Sequence, residues 1–296
     1  MRPAPRTFRR LALTLGAAAS ALALTATAVP ATAGAADSTQ SWAPADSARI
    51  HPGVQMYTNG GQCTANFVFT DAAGTTYVGY AAHCAGLGEA TDTNGCQAES
   101  LPLGARVEFV EGGSLLTGGT VVGGGELVYS SWNTMQANGE DDPNTCAYND
   151  FALVKVDAAD VAKVNPSIPI WGGPTGINTT GTATGDKVYS YGNSSLRAGI
   201  ELLSPKVGIS LGDDAAAGGW THPLYTLTPG VPGDSGSAFL DGDGKAVGTL
   251  STLGLLPLPL SNNIGDLHRE LTYAQQHSGI SGLELVEGTE PFSPIL

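Results

Sequence analysis

Glycine punctuates this chain too densely for long helices to survive in it. The 296 residues include 41 glycines, roughly twice the usual share, and a glycine inside a helix costs about 1 kcal/mol relative to alanine. Between the glycines run short stretches in which apolar and polar residues alternate, the period of a half-buried strand. Residues 63–69 form one such stretch, and residues 75–82 return across the Asp71-Ala72-Ala73-Gly74 turn. Others lie at 106–110, 119–122, 126–129, 151–156, 186–192, 203–209, 224–227, 237–240 and 246–251, with Asp241-Gly242-Asp243-Gly244 closing a hairpin. One stretch alone reads as a convincing helix, Asp266 to His277. Asp266 is its N-cap, Leu267, Leu271 and Ala274 form its apolar stripe, and Gly279 stops it. The pattern predicts an all-β chain with a C-terminal helix.

The first 33 residues stand apart from this pattern. Arg2, Arg6, Arg9 and Arg10 precede an apolar run from Leu11 to Val29 that closes with Pro30-Ala31-Thr32-Ala33. Basic start, apolar middle and A-x-A end are the parts of a secretory signal peptide, so residues 1–33 read as a leader and the protein as exported, extracellular and free of the membrane after cleavage. Residues 34–49, small and polar, read as a short pro-segment or unstructured lead-in. Losing the leader removes four arginines and no acid, which takes the formal charge from −14 to −18. So acidic a chain is a poor partner for nucleic acid or anionic membrane. About 260 residues remain, enough for one large or two small cores, and the proline- and glycine-rich residues 157–181 suit a connector between them.

Cys63, Cys84, Cys96 and Cys146 are an even set in an exported chain, where disulfides are the default. Three pairings are possible. Cys63 to Cys84 encloses the hairpin at 63–82 and leaves Cys96 to Cys146, each bridge contributing roughly 3–4 kcal/mol in the loop-entropy view. No C-x-x-C pair or ligand-spaced histidine supports a metal, and no cofactor is called for.

Near the end of the chain, Pro229-Gly230-Val231-Pro232-Gly233-Asp234-Ser235-Gly236-Ser237 reads as a nucleophile loop. A serine hydroxyl is a weak nucleophile and needs a base and amide donors aimed at the oxyanion it creates. Gly233 and Ser235 N–H groups can be those donors. His83, after Ala81-Ala82 and beside Cys84, is held rigidly enough for a base. Asp150, at the mouth of the apolar strand 151–156, stands where a third residue can hold a histidine tautomer.

With Ala81-Ala82-His83-Cys84, Asp150-Phe151-Ala152-Leu153 and Gly233-Asp234-Ser235-Gly236 in that order, the chain resembles the chymotrypsin-like serine peptidases. Ile50, Gly53, Tyr57, Gly61 and Cys63 resemble the mature start of the secreted bacterial, streptogrisin-like branch, and the likeness covers residues 50 to about 260. The resemblance implies two antiparallel six-stranded β-barrels, over 50–165 and 166–262, with the helix and tail at 263–296. It implies His83 and Asp150 from the first barrel, Ser235 from the second, Ser251 beside Asp150 and, with Pro229 and Leu253, in substrate binding, a peptide or protein substrate, and a monomer.

The chain also departs from that family. Val231 replaces a common cysteine, and Asp234 lacks the expected arginine within Val188–Gly192. Arg197 is one alternative partner and the amine of Ile50, freed by cleavage after Arg49, is another. Pro229 occupies the pocket-floor position six residues before Ser235, so selectivity for Lys or Arg is not expected. Leu250 stands where glutamate-selective enzymes carry histidine, and Leu253, Leu255 and Leu256 follow, so a hydrophobic or small P1 residue is expected. The competing readings are a catalytically silent binding protein on the same fold and a serine esterase. For the esterase, Gly233-Asp234-Ser235-Gly236-Ser237 breaks G-x-S-x-G at its last position.

Overall fold

The computed structural model describes residues 40–88, 93–254 and 261–295. The leader, Leu255 and Leu256 lie outside them, as does the side chain of Leu253. Seven strands fill the first half: β1 (Gln55–Thr58), β2 (Gly61–Thr64), β3 (Val68–Thr70), β4 (Thr76–Tyr80), β5 (Arg106–Glu111), β6 (Thr120–Ser130) and β7 (Ala152–Val156). Six more follow: β8 (Lys187–Tyr191), β9 (Pro205–Ser210), β10 (Thr221–Thr226), β11 (Ala238–Leu240), β12 (Ala246–Gly254) and β13 (Ser261–Asp266). The helices are α1 (Ser131–Asn138), α2 (Pro143–Tyr148) and α3 (Leu267–His277), and a last strand, β14 (Glu284–Leu285), comes from the tail.

The second set closes into a six-stranded barrel in the order β10-β13-β12-β11-β8-β9. The first set does not match the expected six-stranded barrel. It is an eight-stranded sheet, β14-β3-β4-β7-β6-β5-β1-β2, with β14 and β2 at its edges. Its edge is occupied from an unexpected direction: the tail strand pairs Glu284 with Thr70 and Leu285 with Phe69. The sheet still curls, because β2 and β3 lie near opposite ends of the order yet are joined by only Ala65, Asn66 and Phe67. That link turns where Asn66 Oδ1 accepts the Phe67 N–H at 2.6 Å and the Asn66 N–H leaves for Gly79 O at 2.8 Å.

Two helices appear where no helical period was legible. Ser130 caps α1 by accepting the Asn133 N–H at 3.5 Å, and Gly139 ends it at φ +66°. Asp142 caps α2 by accepting the Thr145 N–H at 2.7 Å. Helix α3 buries Leu267, Leu271 and Ala274 against a core that joins both halves, together with Phe67, Phe151 and Leu240.

Both ends of the described chain are docked. Trp42 packs on the first core, the Ala43 N–H reaches Val164 O at 2.9 Å, and Ile50 is fully buried. In the tail, the Gly173 N–H bonds Glu290 O at 3.0 Å, and Phe292 stacks edge-on to Tyr189 at 5.4 Å.

Buried His222 on β10 ties α3 to the barrel. Its Nδ1 lies 2.7 Å from Asp213 Oδ1 and its Nε2 2.8 Å from Asp266 Oδ2. Two carboxylates that can only accept require both nitrogens to donate, which is the imidazolium form. Burial opposes that charge, but Asp266 and Asp213 outweigh it and raise the pKa above the ordinary 6.5. The folded protein thus holds this proton more tightly than the unfolded chain. Its stabilisation is complete below about 6.5 and is lost as pH rises through the folded value. His222→Asn is therefore expected to lower the melting temperature more at pH 5 than at pH 9, and an equal loss at both would show that the charge is immaterial.

Candidate active site

Strand β4 ends at Tyr80, and a 3₁₀ turn over Ala82–Ala85 carries His83 and Cys84. Cys84 is bonded to Cys63, so the turn is tied to β2, and the other bridge joins Cys96 to Cys146 of α2. The turn meets Asp150, which is 4% exposed between α2 and β7. The His83 backbone N–H donates to Asp150 Oδ1 at 2.8 Å and the ring Nδ1 to Oδ2 at 2.7 Å. This two-point contact fixes the proton on Nδ1 and leaves Nε2 free of it in the neutral ring. Burial disfavours the imidazolium, but the charge and hydrogen bond of Asp150 prevail and raise the His83 pKa above 6.5. From the other half of the molecule, Ser251 Oγ donates to Asp150 Oδ2 at 2.6 Å.

Ser235 sits half-buried on a loop whose turns run through Gly233 (φ +96°) and Gly236 (φ +87°), angles that other residues rarely adopt. The loop is anchored on both flanks. The Thr64 N–H bonds Ser235 O at 2.8 Å, and the Gly236 N–H bonds Leu250 O at 2.7 Å. Gly233 O accepts from Thr64 Oγ1 at 2.7 Å and from Gln62 Nε2 at 3.0 Å. Pro232 O accepts from Ser194 Oγ at 2.5 Å. Because a trans peptide points its N–H opposite its C=O, that bond turns the Gly233 N–H away from Ser194.

His83, Asp150, Ser235, Gly233 and Ser251 all line one cleft of about 690 Å³, together with Trp132, whose ring centroid is 6.5 Å from that of His83. Pro229 does not line it. Its carbonyl instead accepts from buried Lys206 at 3.2 Å. Leu253 contributes backbone to β12, opposite Asn262. The sulfurs of Cys63 and Cys84 come within 4.8 Å of a His83 ring nitrogen, but both are spent in a disulfide and offer no thiolate to a metal.

Asp234, fully buried behind the nucleophile, answers the question of its partner. Arg197 forms an ion pair with Oδ2, and Lys206 Nζ, also without exposure, lies 3.1 Å from the same oxygen. The Ser194 and Val231 N–H groups add bonds of 3.1 Å each. Burial and the Arg197 charge hold the Lys206 pKa below 10.5 against the pull of Asp234. In the uncleaved chain the Ile50 nitrogen is a peptide N–H that donates to Lys163 O at 3.1 Å. Lys206 escaped sequence reading because Val207 and Ile209 look like the inward residues of their strand. Lys206, Gly208 and Ser210 face inward instead.

Behind Asp150 stands a second group that the motifs do not contain, the fully buried carboxyl of Glu270. Its one sequence signal is its place on α3, in the same stripe as Leu267, Leu271 and Ala274.

No family model matches this chain, and no curated protein does. Among solved structures it is similar to Thermobifida fusca Protease A at 19% identity, over 81% of this chain and 99% of that one, with a TM-score of 0.48. It is similar to Nocardiopsis Protease at 17% identity, over 80% and 98%, with a TM-score of 0.46. A thermostable serine protease AL20 from an extremophilic microorganism is similar at 21% identity, over 79% and 99%, with a TM-score of 0.46.

Proposed function

We propose that this chain is a secreted serine endopeptidase that cuts peptide bonds through an acyl-enzyme, with Ser235, His83 and Asp150 as its catalytic triad. The observation that carries the reading is the doubly bonded Asp150–His83 pair, braced by Ser251 and opening into the same cleft as Ser235. His83 Nε2 takes the Ser235 hydroxyl proton as Oγ bonds to the peptide carbonyl carbon, and the carbonyl oxygen becomes an oxyanion held by the Gly233 and Ser235 N–H groups. The imidazolium then gives its proton to the leaving amine as the C–N bond breaks. Water, deprotonated by His83, releases the acid and restores Ser235. Asp150 is not protonated at any step. It keeps the tautomer and stabilises the imidazolium.

Residues 50–165, curled by the short link between β2 and β3, and the half from residue 166, whose barrel runs on through β13 to Asp266 rather than ending at 262, serve as the two halves that bring this cleft together. Gly230, Val231 and Leu250 line it and fit a hydrophobic or small P1 side chain rather than Lys or Arg. Export on the leader at 1–33 and action as a monomer complete the reading.

The test is the intact mass of the secreted protein before and after a fluorophosphonate, with Ser235→Ala alongside. One adduct on the wild type and none on the variant is expected. No adduct on the trimmed, disulfide-bonded protein would favour a binding role, and ester turnover without peptide cleavage would favour an esterase. The pH dependence of kcat/KM is expected to rise through a value above 6.5, because the base must be neutral and Asp150 holds its proton on.

A further inference from the structure

Glu270 has no accessible surface, yet it lies on the helix face that packs toward Asp150. Its Oε1 accepts the Asp150 N–H at 3.2 Å. Space for the carboxyl comes from β13, where a Cβ on Gly265 would fall 2.1 Å from Oε1. A carboxyl so tightly housed against the backbone of a candidate triad residue is more than core filling.

The other holds on Asp150 show what this one adds. Its carbonyl oxygen accepts the Ala82 N–H at 3.2 Å and Oδ1 accepts the His83 N–H at 2.8 Å, both from the turn that carries His83. Oδ2 takes Ser251 Oγ from β12. Among the described residues the Asp150 N–H has Glu270 as its acceptor, so the residue is gripped from the first half at its carbonyl and from the second half at its nitrogen.

We propose that Glu270 is a positioning residue for Asp150, its carboxyl gripping the Asp150 N–H from the C-terminal half and thereby fixing where the Asp150 carboxylate meets His83. This rests on the reading of His83, Asp150 and Ser235 as a triad.

The protonation state of Glu270 suits that task. The charged groups that act on it, Asp150 and Asp266, are both anions, the Thr249 hydroxyl bonds to it, and Tyr129, on which Tyr273 acts in turn, lies nearby. Burial, then the Asp150 charge, push its pKa well above 4.5, which favours the uncharged acid. Ionised, it would add a second negative charge behind Asp150 and make His83 a stronger base. The Asp150 N–H and the Thr249 hydroxyl favour the ionised form, but burial and the Asp150 charge outweigh them, and Oε2, the Asn149 amide and the Tyr129 hydroxyl have no hydrogen-bond partner among the described residues.

The experiment compares Glu270→Gln, which keeps a neutral carbonyl acceptor, with Glu270→Leu, which keeps the bulk and removes the acceptor. Both are made in the full chain, and kcat and KM on a peptide substrate are measured from pH 5 to 10. The His83 ring titration is followed by NMR in a Ser235→Ala background, where no turnover is needed. Glu270→Gln is expected to retain kcat and the neutral-pH titration. Glu270→Leu is expected to lower kcat about tenfold with KM little changed, since a displacement of about 1 Å can cost up to 10²-fold, and to move the His83 titration.

A carboxyl whose pKa is raised in the folded state binds its proton more tightly there, so stability falls as pH rises from about 4.5 toward the folded value. Glu270→Gln removes that slope, and its melting temperature is expected to gain on the wild type as pH increases. Wild-type kcat and an unmoved His83 titration in Glu270→Leu would overturn the proposal. If that variant does not fold, a displaced His83 titration at neutral pH in Glu270→Gln would overturn it as well. A wild type without turnover would remove the triad reading, while the NMR titration would still decide whether Glu270 governs the His83–Asp150 pair.

Discussion

Asp150→Asn is expected to reduce kcat by about 10⁴-fold at neutral pH while leaving KM nearly unchanged. Three donors converge on this carboxylate: the His83 N–H, His83 Nδ1–H and Ser251 Oγ–H. An asparagine has one acceptor oxygen and one donor nitrogen in the same space, so one of these contacts must turn donor against donor. With the oxygen kept by the His83 backbone N–H, the amide faces the ring and drives its proton to Nε2. Nε2, the proposed acceptor of the Ser235 proton, can then no longer take it. Loss of the Asp150 charge also lowers the His83 pKa, because burial, which opposes the imidazolium, then acts unopposed. The check is kcat against pH for the two proteins, with fluorophosphonate labelling rates alongside. A loss smaller than tenfold would mean that Asp150 does not set the tautomer, and the proposed mechanism would fail with it.

Asp234→Ala is expected to have the largest effect on stability. It leaves Arg197 and Lys206 facing each other with no anion between them, and Lys206 has no exposure through which to recover solvation. Breaking a buried pair from one side costs about 3–5 kcal/mol, which in a domain of this size lowers Tm by roughly 6–20 °C. The same change frees the Val231 and Ser194 N–H groups, so the loop before Ser235 loosens and the remaining folded protein should be less active. Arg197→Ala makes a graded comparison, since Lys206 still faces Asp234 one to one. Its stability loss is expected to be smaller than that of Asp234→Ala. Thermal unfolding of the three proteins at one pH decides the matter, and an Asp234→Ala loss below about 1 kcal/mol would show that the cations are solvated in a way the burial does not reflect.

Much of the candidate site was legible because the proposed chemistry demands particular residue types in short local contexts. A histidine after two small residues, an aspartate at the start of an apolar strand and a serine between glycines can each be read within a few positions, and all three reach one cleft. Helix α3 was legible because its stripe repeats at the helical period and its ends carry an N-cap and a stop. Helices α1 and α2 were not. Each is under three turns long, too short to show a period, and each forms on a cap and on packing against its surroundings.

Other features misled for a physical reason. Strand β9 alternates cleanly, but Ile209 is 47% exposed and Lys206 is inside. Alternation identifies a strand, while the choice of face went to the buried Asp234, which needs a cation more than the core needs two more aliphatic side chains. The same holds for Glu270: a carboxyl on an apolar stripe is inexplicable locally and becomes intelligible only with the Asp150 N–H in front of it.

From its sequence alone, then, the chain determined what depends on neighbours along the backbone: the strand-rich texture, the C-terminal helix, and the residue types at His83, Asp150 and Ser235. Tertiary structure decided what depends on partners far apart in sequence. It set the edge of the first sheet, where the tail pairs with β3, the double cation on Asp234, and the brace of Ser251 and Glu270 on Asp150. The division follows from range: propensity and capping act over a few residues, whereas burial lets charges and hydrogen bonds from any part of the chain select one another once water is excluded.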